Sequence, residues 1–129
     1  KLLVKRKRLK NNSTVVFTAS ISGYNNVAPA NGIYGTSKSA LSAYMKYAAL
    51  ELAGKGIRCN AVHPGRINTP LISNRMLTEE DVAKDVEQYP LKRYGEPSEV
   101  AHAIIYLLSD AASWVTGTNL VIDGGRSLK

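Results

Sequence analysis

The chain has a single cysteine, Cys59, in 129 residues. An internal disulfide is therefore excluded, and no cysteine pair exists to hold a metal. Cys59 falls in an apolar stretch, where a thiol is expected to be buried and inert. His63 and His102 lack metal-ligand spacing and any evident partner, so both are expected to be structural. No apolar run approaches the ~20 residues that cross a bilayer. The basic start lacks the apolar core of a signal peptide, so a soluble, cytoplasmic protein is the expectation. Acidic residues are missing from the first ten positions, which hold Lys1, Lys5, Arg6, Lys7, Arg8 and Lys10. The formal charge of +7 comes almost wholly from that run, since eleven basic residues face ten acidic ones from residue 11 onward. A basic run interleaved with Leu2, Leu3, Val4 and Leu9 reads as the solvated end of an amphipathic helix rather than a nucleic-acid-binding face.

What remains is ordinary globular composition, 44% hydrophobic and 21% charged, enough for one domain at most. Residues 1–10 read as the tail of a helix, stopped by Asn11-Asn12-Ser13. Thr14 to Thr18 is a β-branched and aromatic run, suited to a strand buried on both faces. Loop residues fill 23–33. A helix over 35–54 places Leu41, Tyr44, Met45, Ala48, Ala49 and Leu52 on one face, with its end expected near Gly54. Ile57 to His63 reads as a second buried strand, ended by Pro64-Gly65. Thr78 is placed to cap an acidic helix with Asp81 as the capping-box partner, and Pro90 closes that helix. Glu96-Pro97 opens another helix, whose apolar face is Val100, Ala103, Ile104, Leu107 and Leu108. Asn119 to Ile122 is a last strand before Gly124-Gly125. Strands alternating with helices imply an α/β fold, a parallel sheet with helices on both faces.

Chemistry concentrates between Val15 and Lys38. A strand ends near Ser20, about thirteen residues of loop follow, and a helix then carries Tyr34 and Lys38. Residues four apart share a helix face, so the Lys38 ammonium can approach the Tyr34 phenol. A free phenol has a pKa of about 10, and a nearby cation favours the phenolate. That suits Tyr34 to pass a proton near neutral pH. No other tyrosine of the seven has a lysine four places on.

TASISG at 18–23, YGTSK at 34–38, NAVHPGRINTP at 60–70 and VIDGG at 121–125 follow one another in order. In that order and spacing the chain resembles the short-chain dehydrogenase/reductase family, over nearly all of its length but over only the second half of that family's domain. The resemblance implies a partial Rossmann-like, doubly wound parallel sheet of three strands, the C-terminal catalytic half of the domain. It implies an NAD(P)-dependent oxidoreductase acting on a small alcohol or carbonyl compound. Tyr34 is then general acid in reduction and general base in oxidation, and Lys38 also bonds the nicotinamide ribose. Ser20 holds the substrate oxygen. Ser22 competes for that role, but choosing Ser20 leaves Gly23 at the family's glycine position and keeps the usual spacing to Tyr34. The resemblance further implies that Pro64, Gly65, Ile67 and Thr69 meet the nicotinamide end of NAD or NADP, the Ile67 backbone at the carboxamide and Thr69 at the carboxamide or a phosphate. Residues 66–94 would be the substrate lid, with Leu71, Ile72, Met76, Leu77 and Tyr94 as candidates for an apolar pocket. The 35–54 helix would build a homo-oligomer. Asp123-Gly124-Gly125 reads as a turn.

No G-x-G-x-x-G follows a first strand; Gly54 and Gly56 have a G-x-G spacing in the wrong context, after a helix. The N-terminal dinucleotide-binding half, with its phosphate cradle, is therefore expected to be absent. A different class of function stays open beside the enzyme: a catalytically inactive remnant acting as a dimerisation module, its first strand exposing an edge.

Overall fold

A computed structural model describes residues 9–73 and 78–129. The basic run through Arg8, Met76 and Leu77 lie outside the described residues. Three strands form one parallel sheet in the order β1 (Thr14–Thr18), β2 (Arg58–Pro64), β3 (Asn119–Ile122). Register pairs Val15 with Cys59 and Phe17 with Ala61 on one side, and Val62 with Leu120 and His63 with Val121 on the other. Among the described residues β1 has no second neighbour, so its outer edge is unpaired.

Alternation along β2 explains how both faces are covered. Cys59 and Ala61 point to one face and cluster with Met45, Ala48 and Ala49 of α1 (Gly32–Leu52). Val15, Phe17 and Leu52 pack at the rim of that cluster. The intervening residues point the other way. Arg58 donates to the carbonyls of Leu107, Ser109 and Val115 at 2.9–3.2 Å, and Asn60 donates to Val115 O at 2.9 Å. Those acceptors lie at and beyond the end of α4 (Pro97–Leu108), which places α4 on the opposite face from α1. Small residues, Ala48, Ala49 and Ala61, let α1 approach the sheet closely, and Met45 fills the space between them with no exposed surface.

The remaining α-helices among the described residues are short: α2 (Pro70–Ser73) and α3 (Glu79–Val86). Thr78 and Asp81 form the expected capping box, with Asp81 N–H donating to Thr78 Oγ1 at 3.1 Å. Pro97 occupies the first turn of α4 as the sequence predicts. Two expectations shift. The helix carrying Tyr34 starts earlier, at Gly32, and its end runs through a 3-10 turn, Ala53–Lys55, to Gly56 rather than Gly54. Gly56 has φ 67°, and a Cβ there would strike the Asn12 side chain, so the left-handed stop belongs to it. The second strand runs one residue later than read, from Arg58 to Pro64, because pairing with β1 begins at Thr14–Arg58.

Candidate active site

The carboxyl ends of β1 and β2 deliver the residues singled out in the sequence. Past β1 the chain stays extended at Ser20 (φ −166°, ψ 153°), then tightens into a 3-10 turn over Ile21–Gly23. Ser20 caps this turn: its Oγ accepts from Ser22 N–H at 3.2 Å, and its carbonyl accepts from Gly23 N–H at 3.0 Å. Because Oγ accepts from Ser22, the hydroxyl proton of Ser20 is left for another acceptor. Ser20 is nearly buried, 8% exposed.

The turn presses against the start of α1. A Cβ on Gly23 would lie 2.5 Å from the Lys38 carbonyl carbon and Ser39 N, and one on Gly35 would lie 2.8 Å from Ser22 O. Two glycines thus permit backbone contact between turn and helix. The Ser39 hydroxyl lies 2.9 Å from Gly23 O and 3.0 Å from Gly35 O, sharing its proton between them. On the helix, Lys38 Nζ stands 5.6 Å from the Tyr34 ring centroid and donates to Thr18 O at 3.0 Å. Tyr34 itself is 47% exposed. Ser20, Tyr34 and Lys38 are therefore brought to one sheet end. No hydrogen bond joins Ser20 to Tyr34 among the described residues.

β2 ends in Pro64-Gly65, and Gly65 N–H donates to Ile122 O at 2.9 Å, continuing the pairing with β3. A Cβ on Gly65 would sit 3.0 Å from Asp123 Cα, so the two strand ends touch. Ile67 then makes an isolated bridge to Gly95, through Gly95 N–H to Arg66 O (3.0 Å) and Asn68 N–H to Gly95 O (2.8 Å). That geometry leaves Ile67's own N–H and C=O out of the pairing. Thr69 is partly buried, and its carbonyl accepts from Ile72 N–H at 2.9 Å. A cavity of about 290 Å³ opens beside Ile67, lined also by Arg66, Leu91, Arg93 and Asp123; it does not include Ser20, Tyr34 or Lys38. Asp123 behaves as a turn residue, its two carboxylate oxygens accepting from Gly125 N–H (2.9 Å) and Ser127 N–H (2.8 Å).

The expected lid departs from its reading at Tyr94. That ring is 6% exposed, packed edge-on against Tyr89 at 5.8 Å and beneath the Arg66 guanidinium, which pairs with Asp85 at 3.3 Å. Burial, followed by the Asp85 carboxylate, pushes the Tyr94 phenol above its ordinary pKa. Tyr94 thus anchors α3 to the Pro64–Gly65 loop instead of lining an open apolar pocket, and Leu71 is 71% exposed. At the start of α4, Arg93 forks onto Glu99 at 2.7 and 2.8 Å, and Glu99 also accepts from Glu96 N–H at 2.7 Å. The fork, then the backbone N–H, hold the Glu99 carboxyl at about 2.

Sequence reasoning missed what His63 touches. The imidazole is fully buried, with Nδ1 2.9 Å from Ser20 O and Nε2 3.0 Å from both Ser42 Oγ and Asn119 Oδ1. One signal was present: Ser42 stands four residues beyond Lys38 and eight beyond Tyr34, along one helix side.

Comparisons with known proteins cover nearly the whole chain. The family model described as Enoyl-(Acyl carrier protein) reductase matches residues 3–127. Cyclohexanol dehydrogenase of Acinetobacter sp. (strain SE19) is 45% identical, with 89% of this chain and 43% of that protein covered. Levodione reductase of Leifsonia aquatica is 38% identical, with 97% of this chain and 49% of that protein covered. A solved short-chain type dehydrogenase/reductase from Mycobacterium ulcerans superposes with a TM-score of 0.84 at 38% identity, over 90% of this chain and 42% of that one. The chain spans about half the length of the relatives it matches.

Proposed function

The chain belongs to the short-chain dehydrogenase/reductase family, and from that premise we propose that it is the C-terminal catalytic half of an NAD(P)-dependent oxidoreductase interconverting an alcohol and a ketone or aldehyde. One observation carries the reading. Lys38 Nζ stands over Tyr34 while bonded to Thr18 O, at the end of the strand that delivers Ser20. A proton donor, a fixed cation and a free hydroxyl proton converge there.

In the reductive direction the nicotinamide, when bound, supplies hydride to the carbonyl carbon. Tyr34 gives its phenolic proton to the carbonyl oxygen, and the Lys38 ammonium stands beside the negative charge left on the ring. Ser20 directs its hydroxyl proton to the same oxygen, where charge develops. In oxidation Tyr34 takes the alcohol proton back. The residues fit the nicotinamide end of the cofactor: Ile67 offers a backbone N–H and C=O that its bridge leaves unused, Thr69 a hydroxyl, and Lys38 an ammonium for the ribose. Pro64-Gly65 ends β2 beside these groups. No glycine-rich turn for the pyrophosphate occurs in these residues. The 129-residue chain on its own is therefore expected to bind NAD(P)H more weakly than about 1 mM; micromolar binding would overturn the half-site reading.

The test of the activity is Tyr34→Phe in the full-length protein, assayed on a panel of alcohols and ketones beginning with cyclohexanol and levodione, the compounds named in two relatives. Turnover is expected to vanish while cofactor binding persists. Retained turnover removes Tyr34 from the mechanism.

A second reading has its own observation. Tyr44, Tyr47 and Leu50 of α1 are 59%, 67% and 80% exposed, and among the described residues the outer β1 edge is unpaired. Self-association through α1 would cover the first and supports a homo-oligomer, whether or not the chain is catalytic. Size-exclusion chromatography with light scattering decides it: a defined dimer that Tyr47→Lys dissociates supports the interface, and a monomer refutes it.

A further inference from the structure

His63 occupies the penultimate position of β2 and points, like Cys59 and Ala61, to the face covered by α1. Its ring has no solvent exposure, and Tyr24 covers it at 4.8 Å between centroids, tilted by 50°. A buried polar ring must spend its nitrogens on partners, and this one spends them on opposite halves of the proposed site. Ser20 O has no proton to give, so Nδ1 carries the hydrogen and donates across 2.9 Å. Nε2 meets Ser42 Oγ at 3.0 Å, on the α1 side that also bears Tyr34 and Lys38. With the hydrogen on Nδ1, Nε2 accepts from the Ser42 hydroxyl, while Asn119 Oδ1, an acceptor 3.0 Å from the same nitrogen, makes no bond to it.

We propose that His63 is a positioning residue, which sets the orientation of Ser20 relative to Tyr34 by joining the Ser20 carbonyl to the Tyr34–Lys38–Ser42 side of α1. The proposal rests on the reading of Ser20 as the hydroxyl that meets the substrate oxygen. The carbonyl of Ser20 already accepts from Gly23 N–H at 3.0 Å. That bond alone is local and moves with the turn. The His63 bond references the turn to the sheet and, through Ser42, to the helix. Two donors on one carbonyl fix the peptide plane after Ser20, and with it the direction in which Oγ faces. A histidine nitrogen's hydrogen is set by what the other nitrogen meets, so the Ser42 hydroxyl, donating to Nε2, also acts on Ser20 through the ring.

Two replacements separate the ring's two ends. Asparagine places its side-chain nitrogen where Nδ1 stands and can still donate to Ser20 O. Glutamine reaches toward Ser42 and Asn119 and loses the donor at the Nδ1 position. In nitrogen-15 histidine spectra of the 129-residue chain, His63 is expected as the Nδ1–H form; a ring protonated only at Nε2 overturns the proposal. Amide exchange at Ser22 and Gly23, taken relative to Val62 in the middle of β2, is expected to quicken about tenfold or more in His63→Gln and to stay near the native ratio in His63→Asn. In the full-length protein His63→Gln is expected to lower kcat about 100-fold with little change in KM, and His63→Asn to restore most of it. Equal effects of the two variants, following their melting temperatures, overturn the positioning role and leave a merely structural histidine. Ser20→Ala is the separate control. Unchanged turnover there overturns the catalytic reading of Ser20, while the tautomer and exchange results report independently whether His63 holds the turn.

Discussion

Replacing Gly23 with alanine would strike the contact that brings the Ser20 turn to α1. The added Cβ would lie 2.5 Å from Lys38 C, Lys38 Cβ and Ser39 N. Carbon contacts are comfortable only at about 3.5–4.0 Å, so turn and helix must part by about 1 Å. Two of the three obstructing atoms are backbone, which a rotamer change does not move. Gly23 is not among the residues with positive φ, so the effect is steric rather than a lost left-handed conformation. Overpacking of this kind costs about 1–3 kcal/mol. Loss of the Ser39 hydroxyl bond to Gly23 O adds about 1 kcal/mol, for a total near 2–4 kcal/mol. With a urea m-value of about 2 kcal/mol/M, the unfolding midpoint is expected to fall by about 1–2 M. A misplacement of this size at the reacting groups also costs about 100-fold in kcat. The double variant Gly23→Ala, Lys38→Ala should recover no stability, because alanine keeps its Cβ and the residue-38 carbonyl carbon and Ser39 N also remain in the way. A Gly23→Ala midpoint within about 0.3 M of wild type, or full rescue by Lys38→Ala, would refute the reasoning.

Lys38→Met removes the donor to Thr18 O and the charge over Tyr34. Stability is expected to fall by only about 1 kcal/mol, measured by urea unfolding, while turnover falls by about 100-fold or more; equal turnover would deny Lys38 its role. The Glu99 carboxyl is expected to titrate at about 2, below the ordinary 4.5, in carbon-13 spectra. Its folded value is depressed, so its contribution to stability is full above pH 4.5 and is lost as the pH falls through about 2. Arg93→Ala should bring the midpoint back toward 4.5, and an unmoved midpoint would discard the fork as the cause. Burial raises the Cys59 thiol above its ordinary value and leaves it no exposed surface. A disulfide reagent is expected to label Cys59 only at the rate of unfolding; rapid labelling of the native chain would contradict that packing.

Most of the fold could be read because its signals are local. The β-branched run at Thr14–Thr18, the spacing from Leu41 to Leu52, Thr78 with Asp81, and Pro97 each state an element within a few residues. The four motifs in order then identify the family. What stayed hidden depends on contacts between distant segments. Gly54 and Gly56 are alike in sequence, and only the proximity of Asn12 to Gly56 distinguishes the stop. Tyr94 looked available for a pocket until Asp85 and Arg66 were seen to enclose it. His63 looked unpartnered because Ser20, Ser42 and Asn119 lie 43, 21 and 56 residues away. The parallel register that brings Asn119 beside Ala61 is not written in either strand alone.

Arg58 has a consequence for how the far side of the sheet comes apart. One guanidinium engages the carbonyl of Leu107 in the last turn of α4, that of Ser109 just past its end, and that of Val115 on the approach to β3. A cation at that helix end also opposes the negative pole of the helix. These three carbonyls flank a 3-10 turn, Asp110–Ala112, so a fluctuation that frees one must leave donors of the same side chain unmatched. Departure of α4 from the sheet and fraying of the approach to β3 are thereby a single event, with one barrier. A lysine in this place, bringing a compact ammonium instead of a planar fork, would let the two ends loosen separately.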